Sequence, residues 1–316
     1  MGIFGRRKVL TAGLTLDNDA FHYISLEKSG EFYRVAEAVT EKFPPGMGGE
    51  DSPFADSGAH LSRFFEFAAA KTASFNVPVN IGIPITDSLL RTVNMPGMTA
   101  AEAKMAIRYD FENYFPFSVG DAVYDISEID YPVRDDLTEK RFIAAAARSS
   151  LIDNIARAAA SNGLKTASME PAQIALERAA TPDSPVEEGC VYVYAGYHRS
   201  VLVLSWRGNG IFYRNISFGV DDEIVAKGTE SDEYREQAVA FVRDVRSSLQ
   251  FALSQNRGFS ARSVYIFGPG ASAFLCDTLK ESVSFDSVML VDPMKVHGID
   301  FSGGGEWDIA LGLALR

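Results

Sequence analysis

The chain has 316 residues, 47% of them hydrophobic and 23% charged. That supports a sizeable buried core, and at roughly 100–200 residues per domain it suggests about two or three domain-sized units. The net charge is -12, with no stripe of lysine or arginine, which argues against nucleic acid and against an anionic lipid surface as partners. The two cysteines, Cys190 and Cys276, form no CxxC pair, and no histidine lies at ligand spacing, so the reading is a reduced cytoplasmic protein without a metal centre. The sequence shows no signal peptide and no apolar run long enough for a transmembrane helix. Arg6, Arg7 and Lys8 read as a solvated terminus.

Residues 8–40 read as three strands, Val9 to Leu16, Phe21 to Leu26 and Phe32 to Val39, separated by polar turns. Leu61 to Ala73 reads as a helix with Leu61, Phe64, Phe65 and Ala68 on one face. Strands are expected at Val77 to Pro84 and Leu89 to Met95. Thr99 and Glu102 have capping-box spacing, so a helix should open there and run to about Tyr114, stopping before Pro116. Strands at Ala122 to Ile129 and Arg141 to Ala146 follow. A helix capped by Ser150 and stopped by Gly163 comes next.

The opening pattern then returns. Cys190 to Tyr194, Ser200 to Ser205 and Gly210 to Ser217 read as a second strand triplet. Ser231 precedes a long helix with Tyr234, Ala238, Phe241, Val245, Leu249 and Ala252 along one face. Val264 to Phe267 is a buried strand that ends in Gly268-Pro269-Gly270. A strand at Ser287 to Val291 and a helix from Trp307 complete the chain. Two strand triplets with helices and an inserted α+β unit predict the duplicated α/β architecture of the actin-like ATPases. The expected units are 8–86 with 168–186 as the first half and 87–167 as the insertion. The second half is 189–219 with 262–306, carrying a 220–261 subdomain, and a terminal helix at 307–316 packs back on the first half. In that fold the nucleotide sits between the halves, held by backbone N–H groups of hairpin turns.

Particular stretches resemble the PilM family, the actin-like cytoplasmic component of type IV pilus assembly. Ala106 to Phe117 (AIRYDFENYFPF) is similar to the family's AIRWEAEQYIPF. Ala145-Ala146-Ala147-Arg148 with Asn162-Gly163-Leu164 resembles its AAR…AGL segment, and Met169-Glu170-Pro171 its connection. Arg246 to Phe251 looks like its IQRSLQFF helix, and Ala310 to Arg316 its ending. The resemblance covers nearly the whole chain and implies nucleotide contacts at Gly13, Thr15, Asn18, Glu170, Gly196, Gly268 and Gly270.

The phosphate motifs depart from the family. Thr15 replaces the first-turn aspartate, Asp17 the turn glycine and His22 the lysine, and Tyr194-Ala195-Gly196 stands where the second turn carries DIG. A side chain at the glycine position strains a backbone that needs φ > 0. Asp17 and Asp19 would repel a triphosphate by about 4 kcal/mol per close charge pair at an effective dielectric near 20. The expectation is therefore a non-enzyme with a degenerate nucleotide site and no required cofactor; ATP with Mg²⁺ is what the family resemblance would otherwise imply. The resemblance also implies a partner, the N-terminal cytoplasmic tail of an inner-membrane PilN-like protein, with Phe115, Pro116 and Phe117 lining its groove. Through that tail the chain would sit at the inner membrane and connect to pilus motor and platform components. Two alternatives stay open: a slow ATPase using Asp17, Asp19 and Glu170, and a filament-forming protein similar to FtsA.

Overall fold

The computed structural model describes residues 9–16, 20–43, 58–72, 77–131, 139–182 and 189–316. The first half opens with β1 (Val9–Leu16), β2 (Ala20–Ser29) and β3 (Phe32–Lys42), followed by helix α1 (Gly58–Lys71) and strand β4 (Val79–Ile83). β1 and β2 pair antiparallel with Thr15 opposite His22. The first eight residues of β2 are buried without alternation, because both faces of the sheet are covered. Phe21 and Tyr23 meet Phe64 and Phe65 of α1 on one side, while Ile24 and Leu26 belong to a second core on the other.

The insertion contains β5 (Ser88–Pro96), α2 (Ala100–Ala106), α3 (Phe111–Tyr114), β6 (Ala122–Ile129) and β7 (Glu139–Arg148). Its sheet has the order β5-β7-β6. Thr99 and Glu102 form the expected capping box. The helix expected to continue to Tyr114 is broken, however, by a 3₁₀ turn at Ile107–Tyr109 and by Asp110 at φ -117, ψ 18. Ile, Tyr and Asp are weak helix formers. The four-residue spacing of Ala103, Ile107, Phe111 and Phe115 keeps all four in one core across the break, so the pattern hides it.

Next come α4 (Ser149–Ser161), β8 (Thr166–Pro171) and α5 (Ala172–Ala180). Arg148 rather than Ser150 occupies the N-cap of α4, without a side-chain cap bond. Leu151, Ile155, Ala158 and Ala159 of α4 share the core of α1. The insertion is thus narrower than 87–167, because the apolar face of α4 is spent on the first half. β8 completes the first sheet, whose order is β3-β2-β1-β4-β8.

The second half repeats the plan with β9 (Gly189–Tyr194), β10 (Ser200–Trp206) and β11 (Asn209–Ile216). After them come α6 (Asp222–Ala226), α7 (Asp232–Gln255), β12 (Ala261–Phe267), α8 (Ala273–Ser282), β13 (Ser287–Leu290), α9 (Pro293–Val296) and α10 (Asp308–Ala314). Its sheet order, β11-β10-β9-β12-β13, is that of the first sheet. Ser231 caps α7 through the Tyr234 N–H. The buried face of α7, from Tyr234 to Ala252, lies in the core of this sheet, so residues 220–261 form no separate core.

α5 and α10 cross at Gly312, where a Cβ would overlap the Ala175 carbonyl. α10 also lies against β1, where a Cβ on Gly13 would overlap the Ala310 carbonyl. The last carbonyls of this helix, unpaired within any helix, accept bonds from the first half. Arg178 donates to Gly312 (2.7 Å), Asn80 to Leu313 (2.9 Å) and Thr11 to Ala314 (2.6 Å).

Candidate functional site

Where the halves face each other they leave a cleft of about 480 Å³. Its first-half wall comes from the ends of β1 to β4. It includes Thr15, His22, Thr40 and Lys42 on adjacent strands, with Gly82 of β4 and Pro84 and Thr86 after it. Its second-half wall comes from the β9–β10 turn, with Tyr194, Gly196, His198 and Arg199. Asp222 and Glu223 of α6, Pro269 and Glu306 complete it. Lys42 reaches across to Asp222 at 3.7 Å. Both side chains are solvated, so this pair adds little stability.

The charges inside differ from those of an anion cradle. His22 is bonded through Nδ1 to Thr40 Oγ1 at 2.9 Å and packs edge-on to Trp307. Burial pushes its imidazole down to about 4, so it carries no charge at neutral pH. Thr15 is buried, and its Oγ1 has no hydrogen-bond partner among the described residues. Three carboxylates, Asp222, Glu223 and Glu306, line the cleft beside Lys42 and Arg199.

The backbone donors of the expected turns have protein acceptors. Gly196 N–H donates to Ser200 Oγ at 3.2 Å, and Gly270 N–H to the Ala195 carbonyl at 2.9 Å. The Gly268 amide lies beside the Asp308 carboxyl and favours its charged form. Gly268 has φ +103, and a Cβ there would meet Tyr194 at 2.9 Å and crowd the Ala195 backbone, so backbone conformation and packing both require glycine. Asp308 is 2% exposed, with Oδ2 unpartnered among the described residues. Burial, with Asp292 and Glu306 nearby, holds its carboxyl well above the usual carboxylate range.

Of the expected nucleotide contacts, Thr15 and Gly196 face the cleft. Asn18, with Asp17 and Asp19, lies outside the described residues. Gly13 does not reach the cleft; it is the seat of α10. Gly268 and Gly270 shape the loop around Pro269, which alone of the three lines the cleft. Glu170 is turned to another task. It holds Arg178 through both carboxylate oxygens (2.6 and 3.0 Å) and Arg316 at 3.2 Å, binding β8 to α5 and the end of α10.

The expected partner-binding residues also separate. Phe115 is 1% exposed and stacks on Phe111 at 4.7 Å, so it is core and not lining. Pro116 is exposed, and Phe117 is half-buried against Phe111 and Arg148. The sequence reading passed over Met105 and Tyr109, which are 68% and 91% exposed on the same unit. They break the apolar spacing of the helix, and that was the available signal. It also missed Gln173, a fully buried amide that accepts from Ser88 Oγ and donates toward the Ile85 and Ser88 carbonyls and Asn215 Oδ1. This hub joins α5, the insertion and the second sheet. Among the described residues no cluster of His, Cys, Asp and Glu could hold a metal ion, and no helix is long and apolar enough to cross a membrane.

Two matched five-stranded sheets, a cleft between them and a three-stranded insertion on the first half define the actin-like ATPase fold. A chain of the PilM-PilN type IV pilus biogenesis complex is 21% identical and superposes with a TM-score of 0.75 over 99% of both chains. EutJ, the ethanolamine utilization protein from Carboxydothermus hydrogenoformans, is 10% identical with a TM-score of 0.53, over 97% of this chain and 89% of that one. A Bacteroides thetaiotaomicron protein with an actin-like ATPase fold is likewise 10% identical, at 0.51 over 94% and 98%. At these identities the likeness is one of fold. No curated protein matches the chain. Within the fold class the family is shown by sequence: the chain belongs to the type IV pilus assembly protein PilM family, whose model matches residues 13–233.

Proposed function

We propose that the chain is a non-enzymatic adaptor of a type IV pilus-like assembly platform. It holds the N-terminal cytoplasmic tail of a PilN-like inner-membrane protein and sits at the cytoplasmic face of that membrane through it, linking it to the motor. Family membership and the likeness to a PilM-PilN complex chain support the choice of partner. On the insertion, Met105 and Tyr109 supply exposed apolar side chains of the kind that anchor a short peptide. They replace Phe115, which is committed to the core.

The observation that carries the non-enzymatic part is the state of the cleft's donors. The N–H groups of Gly196 and Gly270 are bonded within the protein, the Gly268 amide faces the Asp308 carboxyl, and His22 is neutral where the family's lysine would meet phosphate. A bound triphosphate would have to break these bonds and approach Glu306, Asp222 and Glu223. The described residues therefore do not fit Mg-ATP.

The test is calorimetric titration of a synthetic PilN-like tail peptide into the full chain, with and without Mg-ATP. Equal affinity in both conditions is expected, with about a tenfold loss in Tyr109→Ala, which amounts to about 1.4 kcal/mol. Tail binding that required ATP, or turnover abolished by Thr15→Val, would overturn the reading.

A further inference from the structure

A second concavity, about 610 Å³, shares no lining residue with the cleft. It runs between β5 and β11. β5 is an edge strand of the inserted sheet and β11 an edge strand of the second-half sheet. Thr92 Oγ1 spans them by donating to the Ile211 carbonyl at 3.1 Å. An edge strand leaves one row of backbone donors and acceptors outside its ladder.

Three arginines line this groove, Arg91, Arg141 and Arg214, and among the described residues no carboxylate does. Arg141 lies over the Tyr131 ring at 3.6 Å, and Arg214 over Phe251 at 4.4 Å. Arg91 donates to the Leu90 carbonyl. Among the described residues none of the three forms an ion pair, and Arg214 Nε is buried without a hydrogen-bond partner. Phe251 is 45% exposed beside them. In a chain of net charge -12, three uncompensated guanidiniums reverse the local field. Their forked donors match carboxylates in geometry as well as charge.

We propose that this groove docks an extended acidic segment of a protein partner. Its carboxylates meet Arg91, Arg141 and Arg214, and an apolar side chain lies on Phe251. The elongated shape between two strand edges favours a peptide over a compact anion, since an added strand gains backbone bonds as well as charge pairs. An occupant would touch the insertion and the second half together and would hold their relative position. The inference rests on no assumption about the cleft or the tail.

Fluorescence anisotropy on the full chain tests it. The probes are a fluorescein-labelled peptide alternating glutamate and leucine and its glutamine counterpart. The glutamate peptide is expected to bind at least about tenfold tighter, with affinity that falls as salt rises. Arg91→Glu and Arg214→Glu should each weaken it by about tenfold or more. Arg91 is exposed, so its variant keeps the fold, as thermal denaturation would verify. Equal binding of the two peptides, or unchanged affinity in both variants, overturns the proposal. So does displacement of the probe by inorganic phosphate at matched concentration, which would mark a free-anion site. Arginine-dependent binding to phosphatidylglycerol vesicles would mark a lipid surface instead and would overturn it equally.

Discussion

Two glycines and two buried titratable groups bear the most consequence at the scale of single residues. Gly13→Ala or Gly312→Ala drives a Cβ into the backbone of a packed neighbour. Each should cost about 3 kcal/mol, the upper range for overpacking, read as a lowered urea midpoint. Gly120→Ala, whose Cβ would meet nothing closer than Ser118 Oγ at 3.6 Å, should be close to neutral. His22 and Glu177 have opposite pH signatures. His22 titrates at about 4 in the fold against 6.5 in the open chain, so the unfolded state binds the extra proton between those values. Its contribution is complete above pH 6.5 and is lost as pH falls, by about 3 kcal/mol in total. Burial raises Glu177 to about 7, against opposing hydrogen bonds from Tyr213 and Ser205. Its contribution is complete below about pH 4.5 and is lost as pH rises toward 7. Denaturation at stepped pH should show His22→Gln flattening the acid-side loss. Glu177→Gln should flatten the loss toward neutrality. A shared slope in both variants would contradict these assignments.

At the scale of elements, the strand triplets, the Thr99–Glu102 box and the Ser231 cap were readable because each depends on neighbours in sequence. Thr99→Ala removes the acceptor of the Glu102 N–H and the hydroxyl donor to the Glu102 carboxylate, which keeps the residue 99 N–H. It should cost about 1 kcal/mol, seen as faster amide exchange over Ala100–Ala106 with the rest of the chain unchanged. What sequence could not reveal depends on distant partners. Gly13 resembled a phosphate-turn glycine until α10, about 300 residues on, was found against it. Glu170 resembled a nucleotide contact until Arg178 and Arg316 were found on its oxygens. Phe115 lay in a family-like motif, and neither motif nor spacing distinguishes a groove wall from a core. The break at Asp110 escaped because an uninterrupted four-residue apolar period crosses it.

The whole molecule is two similar sheets joined through α5 and α10, with the insertion tied to both. Gln173 is the polar junction of this arrangement, with buried bonds to Ile85 and Ser88 and a part-buried one to Asn215. Gln173→Leu removes the Nε2 donor from the Ile85 and Ser88 carbonyls and from Asn215 Oδ1, while the Ser88 hydroxyl keeps the Pro84 carbonyl. It should lower stability by about 2–3 kcal/mol and raise amide exchange in β5 and β11 together. Exchange confined to one of them would mean that the hub does not couple the units.

The bonds from Thr11 and Asn80 to the carbonyls of Ala314 and Leu313 also have a temporal meaning. Translation proceeds at about 5–20 residues per second, so β1 waits roughly 15–60 s for the helix that covers it. During that interval the first half is a sheet with α1 on one face, while the other carries Ile24 and Leu26 beside Thr11 and Gly13 without the helix that covers them. For that time the nascent first half presents an apolar surface to its surroundings, which α10 covers once it is made.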